Sequence, residues 1–177
     1  MSGIDSGDAT IHGERLDLTP LTVRDADEMS VVLADPRLHE FIGGRPDSLS
    51  ELRERYRRWV AGPGDGRTEW LNWIVRRRAD GAAVGTVQAT LETSADGRRS
   101  ATVAWVTGVP WQGRGYASEA ARALVDWLRA RGVERISANI HPGHQASAAV
   151  ARRAGLHPTV ERTDGETVWR TLPPPPG

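Results

Sequence analysis

A glycine-rich turn between a strand and a helix constrains the fold of this chain more than any other feature. Residues 111–120 read WQGRGYASEA; a strand-like run ends at Pro110, and an amphipathic helix begins near Tyr116. Gly113 and Gly115 carry no β-carbon, so the backbone can adopt positive φ and present several free N–H groups. The helix dipole adds partial positive charge at the same place. The sequence therefore predicts a phosphate-binding turn.

Two common phosphate-binding motifs do not fit this turn. A P-loop requires GxxxxGK[ST], and the chain contains no lysine. A dinucleotide fingerprint requires a third glycine or alanine at position 118, which is Ser118 here. That fingerprint also needs a preceding βαβ unit and an acidic residue about 20 residues later. The turn therefore belongs to another class.

A third motif fits, and a second segment matches it in register. Gln112-x-x-Gly115-x-Ala117 resembles the Q/R-x-x-G-x-G/A signature of the GNAT superfamily of acyl-CoA-dependent N-acyltransferases. Residues 144–156, HQASAAVARRAGL, resemble the family's N-x-x-S-x-x-x-x-x-x-x-G-F helix, with Ser147 and Gly155 in place. Residues 115–120 also resemble the Rim-type branch, which acetylates protein N-termini and many small amines. The resemblance covers roughly residues 70–160 and implies an acetyl-CoA-dependent N-acetyltransferase.

The chain departs from the family pattern at four places. The family asparagine is replaced by His144, and the phenylalanine by Leu156. The tyrosine that many members use as general acid falls on Ala151. The strand before the turn often reads E-I-G-Y in the Rim-type branch, whereas residues 102–105 read TVAW. The tyrosine acid and a glutamate base are thus missing, and no general base is assigned.

Length fits one domain, and composition excludes several classes of protein. The chain has 177 residues, a formal net charge of zero and no cysteine. The arginines are spread along the chain, which argues against a nucleic-acid partner. Because the chain lacks cysteine, disulfides, thiolate catalysis and cysteine metal sites are excluded. No bound metal is expected. No apolar run reaches the roughly 18 residues of a membrane span, and the N-terminus lacks a signal region, so we expect a cytoplasmic protein without a membrane partner.

The hydrophobic pattern predicts a single α/β (α+β) domain over residues 10–172, with tails at 1–9 and 173–177. Strands are predicted at 15–21, 70–76, 84–91, 101–107 and 135–140, with a final hairpin over 160–172. Capping boxes at Asp25 with Glu28 and at Ser48 with Glu51 predict two helices. Two more helices are predicted from Tyr116 to the stop at Gly132 and over 145–154. This order matches the GNAT order, which implies a mixed, mostly antiparallel central sheet, helices on both faces and splayed strands at the acyl-CoA site.

The resemblance also implies which residues bind acetyl-CoA. Backbone N–H groups of the turn would hold the CoA pyrophosphate, from Gln112, Gly113, Arg114, Gly115, Tyr116 and Ala117. The strands at 101–107 and 135–140 would splay, so that the main chain of Val106 and Thr107 binds the pantetheine arm. Gly108 is expected to mark either a bulge or the plain end of the strand.

Ser147 and His144 are the candidate catalytic residues. Ser147 aligns with the family serine, and we expect it either to donate to the leaving sulfur or only to cap its helix. His144 replaces an asparagine that contacts the cofactor arm in the family. It is expected to keep that contact, to act as a base near neutral pH, or merely to face solvent.

Aromatic residues are candidates for the wall of the acceptor pocket. Trp70 and Trp73 lie on opposite faces of one strand because their separation is odd. One of them is expected to line the pocket with Tyr56 and Trp59 of the second helix. The acceptor is expected to be a peptide N-terminus or a small-molecule amine, and the protein a monomer or homodimer. The alternative function is a catalytically silent acyl-CoA-binding sensor or interaction module, motivated by the missing tyrosine, glutamate and asparagine.

Overall fold

The computed structural model describes residues 9–173, and the rest of both predicted tails lies outside the described residues. Strands are β1 (Ile11–His12), β2 (Leu16–Pro20), β3 (Thr68–Arg77), β4 (Ala83–Thr93), β5 (Arg99–Thr107), β6 (Arg135–Ile140), β7 (Leu156–Thr163) and β8 (Glu166–Thr171). Helices are α1 (Asp25–Val32), α2 (Leu49–Ala61), α3 (Tyr116–Ala130) and α4 (Gln145–Arg153), with short 3₁₀ turns at Pro36–His39 and Val109–Trp111. Each predicted strand and helix is present, and the short β1 was not predicted.

The strands form one eight-stranded sheet in the order β1-β2-β3-β4-β5-β6-β8-β7. Every neighbouring pair is antiparallel except β5 and β6, which run parallel because α3 crosses over between them. The prediction of a mixed, mostly antiparallel sheet is confirmed.

Helices cover both faces of the sheet, as predicted. Side chains of β3 alternate between the faces because strand residues point to opposite sides in turn. Ile74 packs in a buried cluster with Met29 of α1 and Leu52 of α2. Val75 packs in the other cluster, with Leu124 of α3. The sheet is thus the middle layer, with α1 and α2 on one side and α3 and α4 on the other.

The predicted capping box at α2 is present. The Ser48 side chain accepts from the backbone N–H of Glu51 at 3.2 Å, and the Glu51 carboxylate accepts from the backbone N–H of Ser48 at 2.8 Å. These reciprocal bonds satisfy donors that the helix itself leaves open.

The prediction of a capping box at α1 was wrong, although the helix is present. Its N-cap is Arg24, with no side-chain capping bond. The Asp25 carboxylate instead accepts from the backbone N–H of Thr22 at 2.7 Å and pairs with an arginine of β3. Glu28 accepts from the backbone N–H of Ala83 at 3.0 Å. Both carboxylates that the local pattern predicted as helix caps therefore bind groups of β3 and β4 instead.

Of the two expectations for Gly108, a bulge or the plain end of the strand, the structure shows the plain end. Pairing of β4 with β5 runs without interruption to Gly85 and Thr107, and the N–H of Gly108 donates to the Val84 carbonyl at 2.8 Å. A β-carbon on Gly108 would lie 2.9 Å from the carbonyl oxygen of Val32. This glycine therefore allows the end of α1 to pack directly against the end of β5.

Candidate active site

The glycine loop, residues 112–117, joins the end of β5 to the start of α3. Gly113 and Gly115 have φ of +76° and +80°, in the left-handed region that favours glycine. Gly115 is the N-cap of α3, and no side chain caps that helix. The first-turn N–H groups of a helix have no partner within the helix, so α3 presents open donors here.

The open donors begin at Gly113 rather than at Gln112. The Gln112 N–H donates to the Val109 carbonyl at 3.2 Å, which corrects the predicted start of the phosphate contacts. Within the described chain, the N–H groups of Gly113, Arg114 and Gly115 have no hydrogen-bond acceptor. Gln112 contributes through its side chain, whose Nε2 donates to the Thr107 carbonyl at 3.0 Å. That bond fastens the loop to the end of β5.

Arginine side chains surround the loop. The guanidinium groups of Arg77 and Arg114 lie 4.7 and 5.4 Å from the ring centroid of Trp111. From α4, Arg153 donates to the Ser118 hydroxyl in the first turn of α3 at 3.3 Å. Arg77 also pairs with Asp80. Arg114 and Arg153 therefore add the positive charge that strengthens the helix terminus and favours a polyanionic guest.

Arg15 also contacts the loop, and the sequence analysis missed it. It precedes β2, yet its guanidinium donates to the Arg114 carbonyl at 3.0 Å and to Glu119 of α3 at 2.8 Å. No sequence motif links positions 99 and 104 residues apart. The packing of α3 against β1 and β2 brings them together.

β5 and β6 separate beside the loop, as predicted. They pair only from Ser100 with Arg135 to Thr102 with Ser137. Beyond Thr102 the two strands no longer pair with each other, although both continue. This opening between β5 and β6 is called the strand gap. Its facing backbone edges are open to an amide-bearing chain laid between them.

Val106 and Thr107 lie in the stretch of β5 that pairs with β4 but not with β6. The carbonyl of Thr107 accepts from the Gln112 side chain. The carbonyl of Val106 lies against Gly85 of β4, where a β-carbon would overlap it. A glycine at 85 thus permits the backbone course that β5 follows beside the gap.

His144 and Ser147 lie together at the start of α4, with distinct roles in the local structure. His144 is the N-cap, and its Nδ1 accepts from the Ser147 N–H at 3.3 Å. Ser147 is therefore not the capping residue, and its hydroxyl has no hydrogen-bond partner among residues 9–173. It lies one turn before Ala151, which is fully buried. Residues four apart share a helix face, so the hydroxyl is on the side of α4 that faces the sheet.

The surroundings of His144 favour its neutral form. Its ring stacks on Phe41, with centroids 4.3 Å apart. Burial lowers the pKa of His144, opposed by the charge of Glu40 and assisted by that of His141. Because Nδ1 accepts a hydrogen bond, the neutral ring carries its proton on Nε2. Protonation of Nδ1 would break the cap of α4.

Two residues predicted to line the acceptor pocket are buried elsewhere. Trp73 is 1% exposed, packs edge-on against Trp127 and donates from Nε1 to the carbonyl of Ala9 at 3.1 Å. Tyr56 is fully buried behind Trp59, with ring centroids 5.5 Å apart. Alternation along β3 could not show which tryptophan faces the core, and the structure places Trp70 on the open side.

Trp59 and Trp70 border a cavity of about 100 Å³ on the α2 side of the sheet. Asn72 and Gln88 contribute to its lining and are direct neighbours across β3 and β4. Neither side-chain amide has a hydrogen-bond partner among the described residues. Gln88 in turn neighbours Ala104, which is exposed and lies where β5 has separated from β6. The cavity therefore borders the strand gap.

Two absences hold within residues 9–173. No group of three or more histidine, aspartate or glutamate side chains could hold a metal ion. No helix in this range is long and apolar enough to cross a membrane.

The chain matches the family model of the GNAT acetyltransferase domain over residues 15–157. The sequence matches no curated protein.

Solved structures share the fold over most of the chain. RimJ of Mycobacterium smegmatis, in complex with a CoA disulfide, is 20% identical, with a TM-score of 0.75 over 92% of this chain and 87% of that one. RimL, a ribosomal L7/L12 α-N-protein acetyltransferase in complex with CoA, is 16% identical, with a TM-score of 0.74 over 93% and 98%. AAC(6')-Ib, in complex with Parmomycin and AcetylCoA, is 18% identical, with a TM-score of 0.70 over 89% and 92%. Each of these structures holds CoA, a CoA disulfide or acetyl-CoA.

Proposed function

Because the chain belongs to the GNAT acetyltransferase family, we propose that it transfers the acetyl group of acetyl-CoA to a primary amine. The observation that carries this proposal is the gap between β5 and β6, which opens directly beside the glycine loop. The loop would bind the pyrophosphate through the N–H groups of Gly113 to Ala117, with Arg114 as a neighbouring cation. The gap would then receive the pantetheine arm along Val106 and Thr107.

The reaction is a direct attack on the thioester. The neutral amine attacks the thioester carbonyl, the C–N bond forms, and the C–S bond breaks. The amine loses a proton, and the departing thiolate gains one. Ser147 would donate a hydrogen bond to the leaving sulfur, since its hydroxyl is unengaged and on the sheet-facing side of α4. His144 would keep this end of α4 in place, and it can act as a base only by releasing the cap.

The acceptor would enter from the α2 side of the sheet. The free amides of Asn72 and Gln88 each offer a donor and an acceptor, as a peptide group or a small polar amine requires. Trp59 and Trp70 provide flat walls for one side chain or ring. The residues that line this cavity carry no charge, so it offers no carboxylate to a polycation. We therefore propose a peptide N-terminus or a small amine as acceptor, with Trp70 in direct contact.

Turnover against a panel of amines tests this function. The panel contains short peptides with free N-termini, small aromatic amines and a linear polyamine. Release of the CoA thiol is read with a thiol-reactive chromophore, which has no protein background because the chain lacks cysteine. We expect saturable turnover with the peptides or aromatic amines and little with the polyamine.

Two variants connect the result to the site. Gln88→Ala should raise the KM of the acceptor and leave the affinity for CoA unchanged. Thr167→Ala, on β8 and away from the cavity, is the control and should change neither. Saturable CoA binding without turnover over the whole panel would contradict the enzyme and favour the silent binding module.

A further inference from the structure

Arg15 lies behind the glycine loop and holds it at two points. Its backbone N–H and its Nε donate to the two carboxylate oxygens of Glu119, at 2.7 and 2.8 Å. Its Nη1 donates to the Arg114 carbonyl at 3.0 Å. The guanidinium also lies 4.8 Å from the ring centroid of Tyr116. One side chain from the start of the sheet therefore contacts both the loop and the first turn of α3.

The bond to the Arg114 carbonyl determines where the next N–H points. In a planar trans peptide the C=O and N–H groups point in opposite directions. Because Arg15 holds the carbonyl of Arg114, the N–H of Gly115 in the same peptide is directed away from Arg15. The side of the loop that faces Arg15 is filled, since a β-carbon on Gly115 would lie 3.3 Å from Nη2. The Gly115 N–H therefore faces the open side, where an anion can reach it.

The bonds to Glu119 remove a second obstacle to anion binding. A carboxylate in the first turn of a helix favours the helix but repels a phosphate at the same terminus. The Glu119 side chain is only 18% exposed, and both its oxygens are held by Arg15. The turn before β2 is shaped around this carboxylate, because a β-carbon on Gly13 would lie 3.1 Å from Glu119 Oε1. Arg15 thus neutralises Glu119 and keeps it turned away from the loop.

We infer that Arg15 is a positioning residue for the CoA pyrophosphate. It acts by aiming the Gly115 N–H toward the phosphates and by cancelling the charge of Glu119. This inference rests on the proposed function, because it requires that CoA binds at the glycine loop.

Arg15→Gln tests the inference, with Arg122→Gln as the matched control. Arg122 is on the same helix as Glu119, is 71% exposed, and pairs with Asp126 at 3.9 Å. Both variants lose one positive charge, but only Arg15→Gln releases the loop. We expect the Kd for CoA and the KM for acetyl-CoA to rise at least about tenfold in Arg15→Gln, with kcat within about twofold. Arg122→Gln should bind CoA like the wild type.

Two further variants separate the two actions of Arg15. Arg15→Gln keeps the backbone bond to Glu119 but leaves the carboxylate without its cation. Adding Glu119→Gln removes this uncompensated charge, so affinity for CoA should recover in part. Arg15→Lys keeps the charge but cannot donate to Glu119 and Arg114 in the same fork geometry, so its Kd should lie between those of the wild type and Arg15→Gln. Arg15→Lys also serves as the test if Arg15→Gln does not fold.

The outcomes distinguish the inference from the function on which it rests. If the wild type binds CoA and Arg15→Gln binds it as tightly as Arg122→Gln does, the inference is overturned and the proposed function stands. If the double variant binds no better than Arg15→Gln, the neutralisation of Glu119 is not part of the role. A wild type that does not bind CoA at all overturns the proposed function itself.

Discussion

Charge placed at Gly113 provides a direct test of the glycine loop as the CoA site. Gly113 has a φ of +76°, and apart from its chain neighbours no heavy atom of residues 9–173 lies within 4 Å of the position that a β-carbon would take. Asparagine and aspartate tolerate this left-handed backbone better than other side chains do. Gly113→Asn and Gly113→Asp should therefore both fold, each with a similar loss of about 1 kcal/mol in unfolding free energy. They differ only in one negative charge.

The expected penalty follows from Coulomb's law. A carboxylate about 6 Å from a phosphate charge costs about 2.8 kcal/mol at the effective dielectric constant of about 20 that is typical near a protein surface, and about 0.7 kcal/mol at that of bulk water. This corresponds to a rise in Kd of about threefold to about a hundredfold for each phosphate charge at that distance. Because salt shortens the screening length to about 3 Å at 1 M, the difference between the two variants should shrink at high ionic strength.

Gly132 provides the control, because it lies beyond the opposite end of α3 with a φ of +77°. Apart from its chain neighbours, no heavy atom of the described residues lies within 4 Å of its β-carbon position. Gly132→Asn and Gly132→Asp should lose similar stability and should not differ in CoA affinity. Calorimetric titration with CoA at low and high salt measures all four variants. Equal Kd values for Gly113→Asp and Gly113→Asn at low salt would show that the phosphates bind elsewhere.

Three further predictions concern the strand gap and α4. Ser147→Ala should lower kcat by about tenfold or more with an unchanged Kd for CoA, and a fall matched by lost folded protein would contradict proton donation. Wild-type stability should fall as the pH drops below about 6.5, because the unfolded chain binds a proton that folded His144 resists. His144→Asn keeps a good helix cap, so its stability should fall less between pH 7 and about 5.5, as measured by chemical denaturation. The control His157→Asn, at an exposed position, should keep the wild-type pH dependence, and a wild-type pH dependence in His144→Asn would contradict the prediction. Gly85→Ala should have a lower melting temperature and bind CoA more weakly, since its β-carbon would overlap the Val106 carbonyl. A Gly85→Ala protein with the melting temperature and CoA affinity of the wild type would refute this.

The elements that sequence predicted well are those determined by nearby residues. Strands at β3 to β5 follow from alternation, and the capping box of Ser48 with Glu51 joins residues only three apart. The same pattern failed at α1, where Asp25 and Glu28 bind groups 51 and 55 residues away. Local pattern therefore predicts where a helix lies better than it predicts which partner takes a polar side chain.

The candidate site likewise has one part that the sequence predicts and one part that it does not. The glycine loop could be read from sequence because its requirements, positive φ and a helix start, are local. The acceptor side is assembled from α2, β3 and β4, so sequence could show that Trp70 and Trp73 face opposite ways but not which one is buried. Arg15 lay beyond sequence reasoning for a similar reason, since its contacts cross 104 residues of chain.

The balance of charge explains how a neutral chain can hold a polyanionic cofactor. Its 23 arginines equal its 23 acidic residues in number, so attraction must come from their placement. At the loop, Arg77 and Arg114 stack on Trp111. Arg77 also pairs with Asp80, whereas Arg114 leaves its charge beside the open donors. The one acidic side chain in the first turn of α3 is Glu119, and Arg15 engages it. Asp80 and Glu119 are thus each paired with an arginine, which leaves Arg114 and the helix terminus to attract the phosphates. CoA affinity should therefore depend on salt although the net charge is zero.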